Sequence, residues 1–244
     1  MRAAATITTM NTAMTDGARD IYRLSAWLSP AFPVGAYTYS SGLEFAVEAG
    51  LVTDAASLGA WLDGLFRFGA GSIDGAFFCI AHRAASSADE DALAECLEWA
   101  DVMRPTSELA LESGTQGEAF LKTVRAAWPH DGVERLVALA ASQDRKPAYA
   151  VAVGAVCGYQ GLSLDLSLIA FLHAVAANLV SAAVRAVPLG QTDGQRVTAA
   201  LEAVLADVAE AAKDKSLETL GAATPVADWA SMQHETQHTR LFRS

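Results

Sequence analysis

Ser163-Leu-Asp-Leu-Ser-Leu-Ile-Ala-Phe-Leu-His-Ala-Val-Ala-Ala-Asn-Leu-Val-Ser-Ala-Ala-Val-Arg-Ala-Val187 has one carboxylate near its start, Asp165, and one cation near its end, Arg185. Between them the apolar residues wrap most of a helical wheel. A helix with so little polar face has to be covered by other elements. The preceding stretch Pro147-Ala-Tyr-Ala-Val-Ala-Val-Gly-Ala-Val-Cys-Gly158 has the same character. We read these two stretches as the central helices of an all-α protein. The uncharged run 166–184 approaches the length of a membrane span, but His173, Asn178, Ser181 and many weakly apolar alanines favour a buried helix of a soluble protein.

Outward from this centre, prolines at 30, 33, 105, 129, 147, 188 and 225 divide the chain, and the apolar spacing between them is helical with almost no strand alternation. Leu58, Trp61, Leu62, Leu65 and Phe66 form a stripe behind a Thr53-Asp54 cap. Asp89 opens a helix that carries Leu93, Cys96, Leu97 and Ala100 on one face, and Asp131 with Glu134 reads as a capping pair. Val197, Leu201, Val204, Leu205 and Val208 place the last amphipathic helix at 193–212. Without internal repeats or low-complexity linkers, the expectation is a single helical-bundle-like domain of about ten helices. It occupies residues 21–230, between a flexible N-terminal segment, 1–20, and a C-terminal tail, 231–244. Residues 1–20 lack the pattern of a secretory signal.

Hydrophobic residues make up 52% of the chain and charged ones 18%, more apolar surface than one compact monomer hides, which points to self-association or a partner. A net charge of -11 opposes binding to nucleic acid or an anionic membrane. Cys79, Cys96 and Cys157 form no paired motif and sit among apolar residues, as expected of free thiols in a reducing, cytoplasmic setting.

His234-Glu-Thr-Gln-His238 matches H-E-x-x-H, in which two imidazoles one turn apart hold zinc and the glutamate acts as base. Only residues 239–244 follow, and none of them can supply the third ligand, so a zinc-dependent hydrolase is the alternative reading rather than the main one. The milder possibility is a surface pair, His234 and His238, that weakly holds a divalent ion. Ser41 and Glu44 have capping-box spacing, and Arg185 ends the longest apolar helix ahead of a Pro188 turn. The chain has no phosphate loop, dinucleotide fingerprint or nucleophile elbow, so neither nucleotide binding nor a covalent intermediate is read from it, and the main reading is not an enzyme.

Taken together, Pro33-Val-Gly-Ala-Tyr-Thr-Tyr-Ser-Ser-Gly-Leu-Glu44, Val184-Arg-Ala-Val-Pro-Leu-Gly-Gln-Thr-Asp-Gly-Gln195 and His234-Glu-Thr-Gln-His-Thr-Arg-Leu-Phe-Arg-Ser244 closely resemble the urease accessory protein F family, in the family's order. The resemblance implies an all-helical, non-catalytic homodimer without a resident cofactor. It would bridge accessory protein D, called H in some species, and the GTPase accessory protein G on urease apoprotein. Nickel would be inserted at the expense of GTP, and an interior passage is the proposed route of the transient ion. The tail residues His234, Glu235, Arg240, Leu241, Phe242 and Arg243 match a segment that docks into the D/H partner and orders there, adding contacts but no core. Arg185, Pro188, Gly190 and Gln191 match a motif near the GTPase-binding surface. Tyr39, Gly42, Leu43 and Glu44 match the first motif, with Glu44 as its functional carboxylate. His238 departs from the aromatic residue of many relatives, so a metal contact there is a hypothesis about this chain alone.

Overall fold

The computed structural model describes residues 14–244, and residues 1–13 lie outside it. Eleven α-helices and two 3₁₀ turns make up the regular structure of the described residues: α1 (Asp16–Trp27), α2 (Leu43–Glu48), α3 (Ala55–Phe68), α4 (Ala70–Ser87), α5 (Glu90–Val102), α6 (Ser107–Ala127), α7 (Asp131–Ser142), α8 (Tyr149–Tyr159), α9 (Leu164–Ala186), α10 (Gln191–Lys213) and α11 (Pro225–His234), with 3₁₀ turns at Ala36–Thr38 and Leu217–Thr219. The all-α expectation holds.

The centre is α8. Every residue from Ala150 to Gly158 is buried, because the helix has no polar face to offer water. Its main neighbour is α4, with α6, α9 and α7 completing the enclosure. The approach to α4 is backbone on backbone. A β-carbon at Gly154 would lie 2.4 Å from the Phe78 carbonyl oxygen, and one at Gly158 would lie 2.3 Å from that of His82. α9 has one side against α8, α4 and α10, while Leu166 and His173 lie on its exposed side. It is the one helix among the described residues that is long and apolar enough to cross a membrane, and half of its most apolar window is buried inside the protein.

Local chemistry sets several helix starts where the sequence places them. Asp54 accepts the Ser57 amide at 2.8 Å while the Ser57 hydroxyl takes the Asp54 amide, and Asp89 accepts the Ala92 amide at 3.0 Å. Other expectations need correction. α1 starts at Asp16, inside the segment assigned to flexibility, because Asp20 is buried and accepts the Ser163 amide at 3.0 Å, fixing α1 to the start of α9. Ser41 does not cap α2: Gly42 is the N-cap, and the Ser41 hydroxyl turns instead to Glu112. The cap of α7 is His130, whose Nδ1 accepts the Gly132 amide, while Glu134 pairs with Arg125. The helix at 193–212 is not the last, since Pro225, in the first turn of a helix where its missing N–H costs nothing, opens α11.

The largest correction is the tail. Residues 235–244 fold back over α2 and the start of α6, with Phe242 4% exposed and inside the hydrophobic core. The tail therefore belongs to the body of the protein as well as to its surface.

The α4–α8 contact makes a prediction. Gly154→Ala should lower the unfolding free energy by about 1–3 kcal/mol, since the methyl has to displace main chain. Gly59→Ala on α3, where an added methyl meets nothing within 4 Å, should raise it by about 0.5–1 kcal/mol. Urea midpoints of the two variants should move in opposite directions.

Candidate functional site

The three segments singled out in the sequence meet in space around one carboxylate. Glu44, in the first turn of α2, accepts the Leu241 amide at 2.6 Å on Oε1 and the Phe242 amide at 2.9 Å on Oε2. The tail continues alongside the loop before α2 and in the same direction, where the Arg243 amide donates to the Thr38 carbonyl at 2.8 Å and the Ser40 amide to the Ser244 carbonyl at 2.8 Å. Gly42 lets α11 pack close to the start of α2: its φ is +79°, and a β-carbon there would fall 2.8 Å from the Ser231 amide nitrogen.

His234 is fully buried at the end of α11, between two carboxylates. Its Nε2 lies 3.1 Å from Glu44 Oε2 and its Nδ1 2.6 Å from Glu108 Oε2. An ionised carboxylate only accepts, so both ring nitrogens have to donate, which only the imidazolium can do. Glu108 Oε1 also accepts from Arg240 Nη1 at 2.5 Å, so two cations and two carboxylates form one network. Beside it Glu235 accepts from the Ser107 amide and hydroxyl at the start of α6, and the hydroxyl holds its carboxyl below the usual carboxylate range.

The second segment arrives from α9. The Arg185 guanidinium lies 4.5 Å from the centroid of the Phe242 ring, and Nη2 donates to the Tyr37 carbonyl at 2.7 Å. Arg243 sits over the ring of Tyr39 at 6.0 Å. This sorts the sequence candidates. Tyr39, Gly42, His234 and Phe242 are buried and Glu44 nearly so, all of them building the surface from below. Arg185, Pro188, Gly190, Gln191, Arg240, Leu241 and Arg243 are exposed, and Leu241 and Tyr37 are 68% and 69% accessible.

The H-E-x-x-H segment does not form a metal centre. Both nitrogens of His234 are taken by carboxylates, His238 is exposed beyond the helix end, and among the described residues no group of three His, Cys, Asp or Glu is placed to hold a metal ion. Burial pushes the thiols of Cys96 and Cys157 up to about 12 and that of Cys79 up to about 11, which keeps them protonated and unreactive at neutral pH.

Below the surface lie two cavities, of about 590 Å³ under the Pro30–Tyr37 loop and about 290 Å³ beside the Asp74–Arg104 ion pair. They share Ser41, Glu112, Gln116, Tyr149, Val175 and Leu179 as a common wall. Burial raises the Glu112 carboxyl above the usual carboxylate range, opposed by the hydroxyls of Ser244 and Ser41 that donate to it. Sequence reasoning missed Glu108 and Glu112. Their signal was their i, i+4 spacing on α6, which sets two carboxylates on one face of a weakly amphipathic helix.

Comparison with known proteins gives a consistent picture. A family profile described as UreF matches residues 52–202. A relative named urease accessory protein UreF from Rhodopseudomonas palustris strain BisB5 is 53% identical over 224 residues, 92% of this chain and 91% of its own length. The protein of the same name from strain HaA2 is 52% identical over 92% of this chain and 93% of its own length. That from Bradyrhizobium diazoefficiens is 49% identical over 92% and 91%.

The carboxylate network makes a second prediction. Glu44→Ala strips two tail amides and a buried imidazolium of their acceptor, a loss of roughly 3 kcal/mol from tail docking. Trypsin should then cut after Arg240 and Arg243 at least tenfold faster than in the unaltered protein, and an unchanged cleavage rate would show that the tail is held by its apolar contacts alone.

Proposed function

The chain belongs to the UreF family of urease accessory proteins, and we propose that it acts as a non-catalytic adaptor in the GTP-dependent insertion of nickel into urease apoprotein, bridging the D/H accessory protein and the GTPase accessory protein G. The observation that carries this reading is the convergence of three distant segments on one exposed surface with no reactive group in it. Tyr37, Arg185, Leu241 and Arg243 offer exposed aromatic, apolar and cationic groups fixed by Glu44 and Phe242, a combination suited to partner recognition. This is the surface we assign to the GTPase. On α11, next to it in the chain, Val226, Trp229 and Met232 recur every three residues and are 53%, 45% and 49% exposed, with Trp229 edge-on to Phe45 at 5.2 Å. We assign this stripe to the D/H partner, in place of a tail that waits unfolded for it.

A third apolar face lies between α1 and α9. Ile21 and Tyr22 are both 63% exposed and Leu166 is 44% exposed, beside a groove lined by Leu28, Ala170, His173 and Ala174. We assign it to a second copy of the chain, since small residues on α9 let a partner helix approach closely. Nickel is cargo in this reading, and the shared cavity wall at Glu112 is where a passing divalent ion would meet a carboxylate. The free thiols fit a cytoplasmic protein.

Pull-down from cells that co-express the accessory proteins and urease apoprotein tests the assignments. Arg185→Ala combined with Leu241→Asp should reduce capture of the GTPase at least tenfold and spare the D/H partner, while Trp229→Asp should do the reverse, both with unchanged helical circular dichroism. Unaltered capture in both variants would overturn the surface assignments. Separately, Ile21→Asp should convert a dimer to a monomer in size-exclusion chromatography with light scattering, and an unchanged mass would remove the α1/α9 face as the contact.

A further inference from the structure

The His234 network ties three elements together through one ring. From α11 the imidazole reaches Glu44 on α2 and Glu108 on α6, and each carboxylate also holds the tail beyond it, Glu44 through the Leu241 and Phe242 amides and Glu108 through Arg240. The ring has no accessible surface, and the carboxylate side chains are 12% exposed, so water cannot replace a lost partner without opening the site. We infer that His234 is a protonation-dependent clasp, and that loss of its proton releases residues 235–244 from the body of the protein.

The charge count gives the sign. With the imidazolium in place, two positive groups, His234 and Arg240, face two negative groups, Glu44 and Glu108. The remaining titratable neighbours are Glu235, committed to Ser107, Glu112, committed to Ser41 and Ser244, and Glu48, which accepts from Gln237. None of these supplies a replacement cation. Deprotonation leaves one excess negative charge around a ring closed to solvent, and it turns a ring lone pair toward a carboxylate that has nothing to donate. The docked arrangement thus needs the ring proton, and docking weakens when rising pH removes it.

The consequence for function rests on the reading of this surface as partner-facing. Phe242 supports Arg185 from below, so releasing the tail removes the ring on which that guanidinium lies. A chemical signal as simple as alkalinisation would then dismantle the recognition surface while leaving α8 and its surroundings intact.

Hydrogen exchange on the isolated full chain tests the clasp without any partner, so its outcome is separate from that of the pull-down. Protection factors for the Leu241 and Phe242 amides, corrected for intrinsic exchange, should fall at least tenfold between pH 6 and pH 9, while amides of α8 hold theirs. In His234→Gln, which cannot titrate, tail protection should be independent of pH across that interval. A flat profile in the unaltered protein, or the same fall in the variant, overturns the clasp. Nitrogen-15 shifts of the His234 ring give a check that needs no variant: both nitrogens should be protonated at any pH where the tail is protected, and a neutral ring with a protected tail refutes the proposal.

Discussion

The backbone contact of α8 with α4 sets the geometry to which everything else conforms. With Gly154 and Gly158 against the carbonyls of Phe78 and His82, two helices come closer than side chains normally permit, and dispersion contacts along the seam replace the polar face that α8 lacks. Once α8 is enclosed, α9 has to lie across it with one side inward and one outward. The outward side delivers Arg185 to one end of the molecule and the small residues of a groove to the other. A helix long and apolar enough for a membrane is thus used as an arm that carries one exposed cation.

The second organising device is electrostatic and local. Two cationic side chains and two main-chain amides converge on Glu44 and Glu108, which turns the last residues of the chain into a lid over the start of α6. Polar networks of this kind contribute little net stability when complete and cost several kcal/mol when one member is lost. Their value lies in specifying a single arrangement. That suits a surface made from segments about two hundred residues apart in sequence.

The parts legible in the sequence were those with a period or a cap. The enclosed helices, the stripe behind Asp54 and the start of α5 at Asp89 follow from spacing and from side chains that satisfy free amides. The tail was not legible, because a segment rich in charge and hydroxyls reads as solvated when its partners cannot be seen. His234 needed Glu44 and Glu108, 190 and 126 residues away, before its burial made sense. Ser41 shows the converse error. Its spacing to Glu44 suits a capping box, yet Ser41 has φ +53° and Gly42 takes the cap, so the hydroxyl is free to bond Glu112 across the interior. Local rules miss such sites because the competing partner is distant in the chain.

Charge distribution bears on how the surface works. On a chain of net charge -11, Arg185 and Arg243 rest on aromatic rings, Phe242 and Tyr39, and among the described residues no carboxylate pairs with either. A guanidinium stacked on a ring keeps its charge uncompensated and part of its donor fork open, while its rotamer is already restricted. An incoming carboxylate then meets a cation whose ordering entropy was lost during folding, so less is lost on association. The surrounding negative field has a complementary effect, disfavouring the approach of acidic surfaces away from such cationic spots.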